Sequence, residues 1–145
     1  MAGFTDTTEQ AILDGLFNDP AWTPPSTLYL ALSSTTPTEA GANFTEPSGG
    51  SYARVSTTAA DWSAASGSAP AVKTNTATKT FPTASANWAS GSNLTHFGIY
   101  DASTAGNLLV WGALGTAKPV LSGDTASWGA SSLLIKLGDP SDSFA

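Results

Sequence analysis

The chain has 145 residues, a formal net charge of −6, 41% hydrophobic and 11% charged residues, against a usual charged share of about 25%, so one domain able to fold without staples is expected. The absence of cysteine excludes disulfide frameworks, zinc fingers and thiol nucleophiles. The five bases, Arg54, Lys73, Lys79, Lys118 and Lys136, are too few and too scattered to track nucleic-acid phosphates, and the longest apolar run, Leu108 to Leu114, is too short to cross a membrane.

In chain order, the first element is a helix. Asp6 and Glu9 stand at capping-box spacing. Ile12, Leu13, Leu16 and Phe17 then recur at helical intervals, Asn18 offers a left-handed stop, and Pro20 bars continuation. Two roles suit this helix: a plug at one end of the core, or an arm that docks on a neighbouring subunit. Residues 1–25 form this helix and arm, residues 26–138 a β-sandwich, and residues 139–145 a flexible tail, all in one domain. The start Met1-Ala2-Gly3-Phe4-Thr5-Asp6 has neither a basic nor an apolar leader segment, so synthesis in a cytoplasm is expected.

From Leu28 onward the sequence reads as strands. Leu28 to Ser33 alternates strictly, with three leucines on one face. Ser34 to Gly50 is loop. Tyr52 to Thr58 alternates again, and Val72 to Phe81 is a Thr-rich, mostly polar strand, either at an edge or weakly buried. Leu94 to Tyr100 and Leu108 to Leu114 are the strongest strands, joined by turn-forming residues 101–106. Gly123-Asp124 fits a type II′ turn between two short strands, and Leu133 to Leu137 closes the set. Small polar residues dominate, and they favour strands and turns over exposed helix. The expected fold is all-β: a β-sandwich or jelly roll of about seven or eight antiparallel strands with one short N-terminal helix.

Little in this inventory suits catalysis. The sole histidine, His96, alternates onto the face opposite Phe97 and Ile99 and reads as structural or interfacial. Asp61, Asp101 and Asp124 sit in turn-like segments, where aspartate serves the backbone. No metal site, cofactor site or catalytic group is assigned. Trp111 is expected in the core. Trp62, Trp88 and Trp128 each precede a small-residue turn, an arrangement explained by an indole closing one end of a sandwich. Trp22, Trp62 and Trp88 fall in loops, where exposed rings stack on sugars; with His96 they are the candidate interface or glycan-contact residues.

Several segments together carry a family resemblance. Leu28-Tyr29-Leu30-Ala31-Leu32-Ser33 leads to Thr36-Pro37-Thr38, then to Glu46-Pro47-Ser48-Gly49-Gly50-Ser51-Tyr52-Ala53-Arg54-Val55 and Phe81-Pro82-Thr83-Ala84. Thr95-His96-Phe97-Gly98-Ile99-Tyr100-Asp101-Ala102, Gly106-Asn107-Leu108-Leu109, Gly112-Ala113-Leu114 and Gly123-Asp124 follow in order. From Gly3 to Leu137 the chain resembles a family of short virion proteins of tailed bacteriophages known as tail fibre proteins. The resemblance implies a non-enzymatic structural protein of the virion, decorating capsid or tail or forming a short fibre or spike. Its implied partners are other virion proteins and copies of itself, with no nucleic acid and no membrane. A carbohydrate-binding module for host-surface attachment, with host glycans as ligands, is the alternative.

Overall fold

Alternation dictates the central sheet. In the computed structural model, which describes residues 2–17, 23–67 and 70–137, Thr27–Ser33 (β2) lies between Val55–Thr58 (β3) and Leu94–Tyr100 (β6). Leu108–Lys118 (β7) pairs with β6, and Ala2–Phe4 (β1) with β7, giving the antiparallel order β1-β7-β6-β2-β3. The register opposes Leu30 to Ile99 and Leu32 to Phe97, and Ile99 to Val110. These side chains fill one face and are buried. Leu94 and His96 would share a face in a regular strand. A bulge between them sends Leu94 to the core and His96 to the other side.

A second, irregular layer covers the apolar face. It holds two short ladders, Ala71–Thr74 (β4) with Leu134–Leu137 (β9), and Lys79–Thr80 (β5) with Ser127–Trp128 (β8). Beyond the β5–β8 ladder, single backbone bonds continue the pairing: Phe81 N–H to Ala126 O, Ala84 N–H to Asp124 O and Trp88 N–H to Val120 O, each at 2.9 Å. Phe81, Trp88, Val120 and Leu133 from this layer meet the leucines of β2. The fold is an all-β sandwich with a single helix near its N-terminus, and the described residues hold nine strands where seven or eight were expected.

The extra strands have identifiable causes. Gly3 and Phe4, expected to precede the helix as an arm, pair with Trp111 and Val110 at the edge of the sheet. The Thr-rich stretch 72–81 is two strands, because Asn75 breaks it. The Asn75 side chain is buried; its Nδ2 donates to Ala77 O and Gly129 O, and its Oδ1 accepts the Leu133 N–H at 2.9 Å. The ladder thus changes partner at a satisfied buried amide. The turn at 121–124 also differs. Asp124 N–H bonds Leu121 O at 2.9 Å with Gly123, φ +91°, in the third position, which is type II geometry and not II′.

The helix, Asp6–Leu16 (α1), departs most from expectation. Its N-cap is Thr5, one residue ahead of the expected box, so Glu9 is one position too late to close it. The Thr5 hydroxyl donates instead to Leu108 O at 2.8 Å and pins the helix start to β7. A capping-box arrangement forms elsewhere, at Thr58 and Asp61, whose carboxylate accepts the Thr58 N–H at 2.8 Å. The apolar stripe does not plug the core: Leu13, Leu16 and Phe17 are 55%, 72% and 77% exposed, and Thr8 is the buried residue of the helix. Asn18, Pro20, Trp22 and the tail 139–145 lie outside the described residues.

Candidate functional site

The polar side chains with the richest chemistry gather beside the loop end of the β6–β7 hairpin. Arg54 grips Glu46 in a forked pair, Nε to Oε1 at 3.0 Å and Nη2 to Oε2 at 2.6 Å. Its Nη1 donates to Ala102 O at 2.7 Å and Ala105 O at 2.8 Å, fastening the hairpin loop. The guanidinium carbon sits 3.5 Å from the centre of the Tyr100 ring. Tyr52 completes the group, donating to Glu46 Oε1 at 2.8 Å while accepting the Leu32 N–H at 3.0 Å. The side chains of Arg54 and Glu46 are 6% and 24% exposed.

Electrostatics follow from this enclosure. Burial, with the Glu46 charge second, holds the Tyr52 hydroxyl well above the ordinary phenol range. Burial likewise pushes Tyr100 up to about 12. Burial alone disfavours the Arg54 charge, yet the bonds and charge of Glu46 more than offset this and raise its pKa. The cluster thus holds two neutral phenols and one guanidinium paired with Glu46, with Tyr100 joined through its ring face. It is a clamp between residues 46–54 and 102–105.

The outer face of the sheet is covered in part. Phe44, from the loop after β2, packs edge-on against Tyr100 with centroids 5.4 Å apart. The Phe44 ring needs Gly98 beneath it, since a Cβ there would stand 2.6 Å from Phe44 Cε2 and 2.7 Å from Leu108 Cδ1. Trp111 lies on this face, half-buried beside that smaller cluster, and not in the main core as expected. His96 lies 6.0 Å from Trp111, and its Nδ1 shares a 2.8 Å hydrogen bond with the Thr95 hydroxyl.

His96 carries a pH signature. Burial lowers its pKa below 6.5. The folded state therefore favours the neutral ring: its contribution is complete above the unfolded pKa and declines once the unfolded chain takes up the proton first. Urea midpoints of the wild type are expected to fall as pH drops below about 6.5, and His96→Gln is expected to flatten that fall. Equal slopes for both proteins would refute the assignment.

The candidate tryptophans part company. Trp88 is fully buried and donates its Nε1–H to Gly50 O at 2.8 Å, so it offers no ring face to a sugar. The loop it was assigned to is a left-handed turn, Ala89, Ser90 and Gly91 at φ +47°, +55° and +80°, folded over the indole. Trp62 is half-buried, its Nε1 donating to Thr57 Oγ1 at 3.1 Å, and it forms one wall of an apolar cavity of about 350 Å³. Phe4, Leu28, Ile99, Val110 and Ile135 supply other walls, and Lys73 stands at the lip. A second, more polar cleft of about 500 Å³ opens beside Trp128, Lys118 and Asp124. The structure does not bring Trp62, Trp88 and His96 together, and Trp22 lies outside the described residues. Those described residues contain no cluster of His, Asp and Glu suited to a metal ion, and no helix long and apolar enough to cross a membrane.

The family model described as podophage GP4 fiber I protein gp80 matches residues 3–136. The chain belongs to this family. It is a structural fibre protein of a bacteriophage virion, and the match spans the clamp, both sandwich layers and α1. Comparison with curated proteins returns no match. As a fibre protein it associates with other virion components, which draws attention to surfaces instead of pockets of reactive groups. Among the described residues, the surface feature with the largest apolar exposure is the α1 stripe, whose periodicity was legible in the sequence while its role as plug or docking arm stayed open. The clamp was missed in the sequence. Its one signal was the placing of the sole arginine, Arg54, eight residues after Glu46 in a chain with few charges.

Proposed function

We propose that this fibre protein is a non-catalytic building block of a short tail appendage, attached to other virion proteins and to copies of itself through its surface. The observation that carries this reading is the contrast between the two kinds of side chain. Arg54, Glu46, Tyr52 and Tyr100 spend their chemistry on each other and on the hairpin backbone. Leu13, Leu16 and Phe17, meanwhile, stand in solvent, where large apolar groups grouped on one face mark a contact surface. A fibre role favours the tail over the capsid as its seat.

Mass spectrometry of purified particles, with gold-labelled antibody under the electron microscope, tests this reading. The chain is expected in intact virions with label at the tail. Label spread over the head would make it a capsid decoration protein instead. Its absence from particles, with abundance in infected-cell lysate, would end the virion reading. Glycan binding draws little from the candidate rings, because Trp88 is enclosed and Trp62 spends its indole N–H within the chain.

A further inference from the structure

Among the described residues, an apolar stripe has no hollow to enter and an apolar hollow has no side chain filling it. Leu13, Leu16 and Phe17 stand at i, i+3 and i+4, so they share one helix face, and all three are exposed. The cavity of about 350 Å³ is walled by Phe4, Leu28, Trp62, Ile99 and Ile135. Its size falls in the range of pockets that enclose a ligand group.

The helix cannot serve its own cavity. Thr8 is buried and lines the cavity, so the first turn of α1 lies beside it. At 1.5 Å per residue, Leu13 to Phe17 lie roughly 8–14 Å further along a rigid axis.

Charge fits the same pairing. The helix bears Asp6, Glu9 and Asp14 with no base in its last turn. Lys73 at the cavity lip is exposed and has no ion pair among the described residues. An acidic helix with an apolar stripe and an apolar cavity with a basic lip are complementary, and one chain carries both.

The geometry points to a contact between copies: α1 of one copy seats Leu13, Leu16 and Phe17 in the Trp62 cavity of another, with Asp14 beside the neighbour's Lys73. Donor and acceptor are different surfaces, so the contact closes as a ring, propagates as a filament, or is reciprocated about a two-fold axis. This inference rests on the proposed role as an assembling fibre component and names the surface that role uses.

Sedimentation of the full chain over a range of concentrations tests it. The wild type is expected to associate. Phe17→Asp is expected to weaken association at least about a hundredfold, leaving the 14.6 kDa species. Phe17 is exposed, so the circular dichroism spectrum should not change. Lys73→Glu is expected to raise Kd by about two- to fivefold, and Asp14→Lys in the Lys73→Glu background to restore it. A wild type that stays monomeric, association untouched by Phe17→Asp, or failure of the reversed pair to recover would each overturn the contact. None of these results bears on whether the chain is found in particles, which tests the fibre role separately.

Discussion

Trp88→Ala is expected to lower stability by about 3–5 kcal/mol, the range for deleting a buried aromatic side chain. Small domains have about 5–15 kcal/mol in all, so much of the variant should be unfolded near physiological temperature. The indole meets Tyr52 edge-on at 5.0 Å and Phe81 at 6.0 Å between ring centres. Its removal also strands Gly50 O, and it uncovers the turn at Ala89 and Ser90, whose left-handed backbone costs about 1–2 kcal/mol per non-glycine residue. Trp88→Phe keeps a ring and loses the hydrogen bond, so it should cost distinctly less. Urea unfolding followed by circular dichroism separates the variants. A Trp88→Ala midpoint near that of the wild type would show that the second layer does not depend on this indole.

The same residue shows where sequence reasoning ends. A tryptophan before Ala-Ser-Gly reads equally as a sugar platform or as a lid beneath a turn. The choice depends on partners outside that motif, Phe81 and, far away in the chain, Tyr52 and Val120. Strand faces were legible because period-two alternation is a local property: Leu28, Leu30 and Leu32 go inward together in any sheet. The bulge at Leu94 and His96 was not legible, because it arises from how β6 meets β7. Helix periodicity predicted α1 and its stripe, but periodicity names a face without naming what covers it. Core and neighbouring subunit were both open as the covering, and the exposure of Leu13, Leu16 and Phe17 excludes the core, while the Thr5 bond to Leu108 O pins the helix start to β7. Asn75 is the opposite case. In sequence it is one polar residue in a Thr-rich run, and only the partners at Gly129 and Leu133 make it the point where two ladders separate.

The clamp gives the other large effect. Arg54→Lys keeps the charge but cannot reproduce the fork, so Glu46 loses its two-point grip and the carbonyls of Ala102 and Ala105 lose their shared donor. Removing one partner of a buried pair costs about 3–5 kcal/mol. Glu46 retains some solvent exposure, which screens the pair, so about 2–4 kcal/mol is expected for Arg54→Lys and more for Arg54→Ala. Glu46→Gln retains the shape and one acceptor for Tyr52, and is expected to cost less than either. The loss should also be local. Amide exchange should quicken first in residues 101–107, where Asp101 Oδ1 still accepts the Asn107 N–H at 2.7 Å but the outer anchor has gone. Exchange in β2, walled by its neighbours on both sides, should follow only global unfolding. If Arg54→Lys stays within about 0.5 kcal/mol of the wild type, the guanidinium fork is not what fastens the hairpin. Cation–aromatic stacking on Tyr100, which a lysine can partly replace, would then be the stronger tie.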